Sequence, residues 1–222
     1  MREGYDYAVS CGAAGSKLFT KFLYPNIKND SVWRFHLHTR HPEKAPTDAR
    51  RFIYLFSDPR NAVLSYFQRR LKKHSRHGFV DQSARSEEWI DIDAFWVRKH
   101  LKNLGCDETA VHESWTLLDY LDQVTQDVFR LQEHFDTWLT ETDRDVLFIR
   151  YETMWQQEPE MKRILGLSDS HLPAFVDRAA DWRRQETGVQ KKLDELYGAF
   201  ARRLENLPDI FGRFDDFCNV IP

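Results

Sequence analysis

The sequence predicts an α/β fold, a three-layer αβα sandwich around a mostly parallel central sheet, and three observations carry that expectation. Residues 52–56 and 146–149 are continuous apolar runs of the kind found in strands buried on both faces. An apolar run at residues 5–11 ends in Gly12-Ala13-Ala14-Gly15 and passes directly into helical spacing. Amphipathic stretches separate the apolar runs, and strands alternating with helices build a parallel sheet covered on both sides.

Taken in order, residues 5–11 read as the first strand. Leu18, Phe19, Phe22 and Leu23 then mark one face of a helix that carries Lys17 and Lys21 on another. Residues 32–38 form a second strand candidate, followed by a polar loop containing Pro42 and Pro46. Residues 52–56 and 146–149 are the third and fourth strands. A helix is expected over about residues 61–73, with Val63, Phe67 and Leu71, and two or three more over about 87–140. Val189, Leu193, Leu196, Tyr197, Phe200 and Leu204 give a last helix at the 3.6-residue period. No internal repeat or low-complexity linker divides the chain, so residues 1–222 read as a single domain.

With 41% hydrophobic and 14% aromatic residues, the chain can bury a core without metals or disulfides. A net charge of -3 supplies no global basic field for nucleic acid or an anionic membrane, so any anion site must be local. Cys11, Cys106 and Cys218 are widely spaced and odd in number, which argues against a disulfide framework and a structural zinc site. The His residues show no ligand spacing. No run approaches the length of a membrane span and no apolar signal region opens the chain, so a cytoplasmic protein is expected.

Residues 51–65 carry the most specific local signal. Asp58 is a preferred N-cap and Pro59 suits the first helical position, so the chain leaves a buried strand and turns at once into a helix. The amides and the positive dipole end of such a helix start favour an anion, and in open α/β sheets ligands gather beyond the carboxyl edge. Arg60 offers charge there and Ser65 a hydroxyl. The bland alternative is an ordinary helix start.

The segment Ser57-Asp58-Pro59-Arg60-Asn61-Ala62-Val63-Leu64-Ser65 resembles the 3′-phosphate motif of the sulfotransferases that use 3′-phosphoadenosine 5′-phosphosulfate (PAPS), commonly Arg-x-Pro-Arg/Lys-Asp/Asn-x-x-x-Ser. Pro59, Arg60, Asn61 and Ser65 match, and Ser57 stands where the family has its leading Arg. The first loop, Gly12-Ala13-Ala14-Gly15-Ser16-Lys17 before Leu18, is similar to the family's 5′-phosphosulfate loop, with Gly15 and Ser16 in the matching places. Ala13 stands where the family is basic, and Lys17 is the substitute charge. Trp33-Arg34-Phe35-His36-Leu37 resembles the family's Lys-x-His-Leu, which gives His36 the role of general base and Arg34 that of a cation at the leaving oxygen. His38 shares a strand face with His36 in that reading and is the other candidate base. His36 precedes Ser57 by 21 residues, close to the family's interval. Residues 145–167 resemble the family's strand, Tyr-Glu turn and Leu-Gly-Leu helix end, which puts Tyr151 at the adenine.

The resemblance implies a P-loop NTPase-like sulfotransferase fold, PAPS as co-substrate with 3′-phosphoadenosine 5′-phosphate (PAP) as product, and no metal. The acceptor is a small molecule or a carbohydrate presenting a hydroxyl or amine, with residues 87–140 on its side. Trp182-Arg183-Arg184 before Gly188 is the nearest counterpart of the family's C-terminal phosphate contact. The basic run at Arg69, Arg70, Lys72, Lys73 and Arg76, with His74 and His77, reads as a solvated helix face or as a surface for an acidic acceptor. Two other functions compete. One is a nucleotide-dependent phosphotransferase of related fold, against which the loop's departure from a Walker A spacing counts. The other is a sulfotransferase-like binding protein without catalysis, for which Ala13 and Ser57 speak.

Overall fold

The computed structural model of the chain describes residues 4–12, 14–69, 90–91, 94–112, 114–141, 143–175 and 180–213. The chain divides into two compact units, one of residues 1–58, 130–176 and 200–222 and one of residues 59–129 and 177–199.

The first unit holds a five-stranded sheet. Its strands are β1 (Tyr5–Val9), β2 (His36–Leu37), β3 (Ala49–Phe56), β6 (Val146–Arg150) and β7 (Ile210–Arg213), in the order β2-β1-β3-β6-β7. All neighbours run parallel except β7, which pairs antiparallel with β6. The remaining strands, β4 (Gln68–Arg69) and β5 (Ile90–Asp91), form a separate antiparallel ladder.

Alternate residues of β3 and β6 explain why helices cover both faces of the sheet. Ile53, Leu55, Leu147 and Ile149 join Phe19, Phe22 and Leu23 of α1 (Ser16–Leu23) and Met161 and Leu165 of α6 (Glu158–Leu165) in one buried cluster. On the other face Tyr54 and Phe56 pack edge-on to Phe135, and Phe52 packs against Trp138; both partners belong to α5 (Leu131–Leu139). Each such fully buried aliphatic or aromatic side chain contributes about 1.5–3 kcal/mol by leaving water. The architecture is therefore α/β, with a mixed but mostly parallel sheet flanked by helices.

Residues 29–35 depart from expectation. They form a 3-10 helix, Asn29–Phe35, and the strand is confined to His36–Leu37. Val32 and Phe35 are buried while Trp33 and Arg34 are exposed, a three-residue repeat that suits a 3-10 turn rather than the two-residue repeat of a strand. Phe35 fixes the turn by packing on Tyr5, Tyr7 and Tyr24.

The second unit contains α2 (Pro59–Phe67), α3 (Ala94–Asn103), α4 (Leu117–Gln123) and the first part of α7 (Thr187–Glu205). Pro59 takes the first helical position as expected. The helix ends at Phe67 rather than Lys73, where β4 begins; residues 70–73 and the rest of the basic run lie outside the described residues. Phe67, Tyr120, Phe129 and Tyr197 make the core of this unit, and the hydroxyls of Tyr120 and Tyr197 meet at 2.6 Å. Among the described residues no helix is long and apolar enough to cross a membrane.

Candidate functional site

The loop after β1 is shaped by two glycines in the left-handed region, Gly12 (φ 99°) and Gly15 (φ 70°), which a β-carbon would strain. The Gly15 carbonyl accepts the Phe19 N–H at 2.9 Å and so opens α1. The first-turn amides of α1, from Ser16, Lys17 and Leu18, have no partner within the helix and lie at its positive end. Ala14 is buried, Leu18 packs on the core cluster, and Ala13 lies outside the described residues.

Beneath this loop runs a chain of hydrogen bonds that the loop motif alone does not suggest. The Gly12 N–H donates to Ser10 Oγ (3.1 Å), Ser10 Oγ donates to Ser16 Oγ (2.9 Å), and Ser16 Oγ stands 2.6 Å from His36 Nε2. Ser10, Ser16 and His36 are all buried. The parallel register that sets Ala8 beside His36 brings the imidazole to the foot of the loop. His36 thus reaches the loop, with Ser16 as its direct contact.

His38 lies on the same side, its ring edge-on to His36 at 4.3 Å, and its Nδ1–H donates to the Ser10 carbonyl at 2.8 Å. Burial pushes the His38 pKa down against the upward pull of that bond. A deeper histidine, His134, donates from Nε2 to the His38 carbonyl (3.2 Å) and accepts from the Tyr54 hydroxyl at Nδ1 (2.7 Å). Burial brings its pKa down to about 3, so His134 stays neutral. The strand run signalled none of these partners because Tyr54 and His134 read as ordinary core.

Lys17 and Arg34, the two candidate cations of the first unit, part company. The Lys17 ammonium lies 5.2 Å from the centre of the Trp33 ring, which in turn stacks on His36 at 5.4 Å, so Lys17 stays beside the loop. The Arg34 guanidinium covers the rings of Tyr5 and Phe35 at 5.6 and 5.4 Å, at the amino end of β1 and away from the loop. The 3-10 turn is the cause, because Arg34 and His36 no longer share one face of a strand.

Tyr151 follows β6 in a 3-10 turn, Tyr151–Thr153, and its ring lies against Gly15. The next residue, Glu152, accepts the backbone N–H of Asp58 at 3.0 Å, placing a carboxylate of the chain itself at the turn that follows β3. Ser57, at the position for which the resemblance implies an Arg, is buried, and its hydroxyl has no partner among the described residues.

The second unit holds Arg60 and Ser65. Arg60 is buried, bonds Asp194 Oδ1 at 2.7 Å and stacks on Trp182 with its guanidinium 3.9 Å from the ring centre. Asn61 Oδ1 accepts the Trp182 N–H at 2.8 Å, so the Trp182–Arg184 turn does meet the start of the 59–65 motif. The Ser65 hydroxyl donates to the Asn61 carbonyl of its own helix at 2.8 Å.

Among the described residues no three His, Cys, Asp or Glu side chains are grouped to hold a metal ion. Comparison of the chain with family models, curated proteins and solved structures found no match.

Proposed function

We propose that this chain is a PAPS-dependent sulfotransferase of P-loop-like fold, moving a sulfuryl group to a hydroxyl or amine acceptor that is a small molecule or a carbohydrate. The observation that carries the reading is the 2.6 Å contact of Ser16 Oγ with His36 Nε2 directly under the loop that follows β1. A titratable base hydrogen-bonded to the first helical residue of an anion-type loop couples two things that group transfer needs, a seat for the donor's charge and a destination for the acceptor's proton.

What supports the 5′ end of PAPS at this loop is its backbone: glycines at φ 99° and 70° and first-turn amides of α1 that have no partner within the helix. PAPS supplies the sulfuryl group, whose bond to the acceptor oxygen or nitrogen forms as the bridging S–O bond breaks and PAP keeps the electron pair. The amides of Ser16, Lys17 and Leu18 hold the phosphosulfate, and Lys17 neutralises charge growing on the leaving oxygen. His36 takes the acceptor proton through the Ser16 hydroxyl, which passes its own proton to Nε2 as it receives the new one. The cation role given to Arg34 by resemblance passes to Lys17, since Arg34 is turned onto Tyr5 and Phe35.

The binding-protein reading draws on a different observation, the engagement of Arg60 by Asp194 and Trp182. Release of PAP from PAPS in the presence of a panel of phenols, alkanols, amines and glycans separates the two. His36→Ala is expected to lower that release by about a hundredfold or more, the scale of general-base catalysis, with PAP affinity nearly unchanged. Wild-type protein that binds PAP and never releases it from PAPS would favour the non-catalytic reading.

A further inference from the structure

The proton count at Ser16 links its hydroxyl to the charge state of His36. A serine hydroxyl has one proton and two lone pairs. Ser10 Oγ donates its proton to one lone pair of Ser16 at 2.9 Å and accepts the Gly12 N–H at 3.1 Å on one of its own. The remaining contact is His36 Nε2 at 2.6 Å. Toward a neutral imidazole with a bare Nε2, Ser16 is the donor. Once Nε2 carries a proton, the imidazolium donates instead and fills the second lone pair. The Ser16 proton must then find another acceptor, and in a site where Ser10 is 0% and Ser16 4% exposed, leaving it unbonded is unfavourable.

We infer that Ser16 is a proton-coupled anion donor: protonation of His36 turns the Ser16 hydroxyl from the imidazole to the anion seated on the first-turn amides of α1. Anion affinity and His36 protonation are therefore linked, and by reciprocity the anion favours the imidazolium. In the transfer reaction this delivers a fresh hydrogen bond to the departing phosphate at the moment His36 has received the acceptor's proton. The inference rests on the sulfotransferase reading only in seating an anion at this loop.

The groups around His36 leave this exchange as the main titrating event. From the residue after β1 comes Ser10 and, from the strand's far end, Asp6, which Arg50 and Arg51 engage. From α1 comes Lys17, over Trp33; from the 3-10 helix come Trp33 and Arg34, the latter turned onto Tyr5. Within β2 and its continuation the neighbour is His38, which burial favours in its neutral form.

Inorganic sulfate is the probe, because it keeps its double charge while histidine titrates. Its affinity would be read from the Gly15 and Ser16 amide signals by NMR between about pH 5.5 and 8.5, the window of histidine. Wild type and Ser16→Thr are expected to bind about tenfold more tightly at the acid end, the scale of one hydrogen bond to a charged group. Ser16→Ala should reduce that ratio to under about threefold. His36→Gln, whose amide donates at every pH, should bind with no pH dependence. A flat wild-type profile, or a full tenfold ratio retained in Ser16→Ala, would overturn the inference and leave the function standing. No sulfate binding by wild type at any pH would overturn both.

Discussion

The ring of Tyr151 fills the place where a side chain on Gly15 would go: a β-carbon on Gly15 would fall 2.5 Å from Tyr151 Cε2 and 2.7 Å from Cδ2. The loop after β1 and the turn after β6 are thereby fitted to each other, and Gly15 is required twice, for space and for its φ of 70°. Gly15→Ala is expected to lower stability by about 1–3 kcal/mol. Adding Tyr151→Ala should recover the steric part and leave the backbone part, which thermal unfolding of the single and double variants separates.

Asp6 is the charge centre at the amino end of the sheet. Its carboxylate receives paired bonds from Arg50 (2.9 and 2.7 Å) and Arg51 (3.0 and 2.6 Å), and Arg51 also donates to the carbonyls of Ile164 and Leu165 at the end of α6. Burial pushes the Asp6 pKa up, but the bonds from Arg51 and Arg50 outweigh it and hold the group below its ordinary value. A carboxylate with a lowered folded pKa stabilises above its unfolded pKa and loses that contribution as pH falls through the folded value. Asp6→Asn should therefore cost about 3 kcal/mol at neutral pH. The gap from wild type should begin to narrow as pH falls below about 4, measured by urea unfolding at neutral pH and through the acid range.

His134 gives stability an acid-side slope of its own. Unfolded, it takes a proton near pH 6.5; folded, burial delays protonation to about pH 3. The stability it lends as a neutral group is complete above the unfolded value and is lost as pH falls toward the folded one, at about 1.4 kcal/mol per pH unit. His134→Gln should be less stable at pH 7, through imperfect bonds to Tyr54 and His38, and should show a shallower decline between pH 6 and 4. A decline as steep as wild type would assign it to other groups, His38 first among them.

Arg60 combines a bond to Asp194 with stacking on Trp182, and a lysine reproduces neither the fork nor the flat face. Since Asp194 is 42% exposed, its charge is partly solvated when the partner leaves. Arg60→Lys is expected to cost about 1–2 kcal/mol by urea unfolding, below the cost of breaking a fully buried pair. An unchanged midpoint would mean that the stacking and the bond contribute nothing to folding.

Much of this was legible in the sequence where burial and period agree. Residues 52–56 and 146–149 are apolar at every position and both lie in strands, β3 and β6, at the centre of the sheet. Residues 32–38 misled because Val32 and Phe35 satisfy a three-residue repeat as readily as parts of a strand, and the choice was made by Tyr5, Tyr7 and Tyr24 elsewhere in the chain. Strand β7 escaped notice because four residues at an edge carry little periodic signal. In the candidate site, Gly15, Ser16, Lys17 and His36 were singled out by the resemblance of their segments to the sulfotransferase motifs. Ser10, the link between Gly12 and Ser16, was not, since a serine ending an apolar run is indistinguishable from a strand terminus until the loop folds back over it. Asp194 was equally hidden, as a charged position on an amphipathic helix whose partner lies 134 residues away.

The central claim is that the loop after β1 belongs to a PAPS-dependent transferase, and calorimetric titration with PAP against ATP tests it most directly. The sulfotransferase reading predicts micromolar binding of PAP, with no preference for ATP. Binding of neither nucleotide would contradict it, and tight binding of ATP with none of PAP would move the chain to phosphoryl transfer.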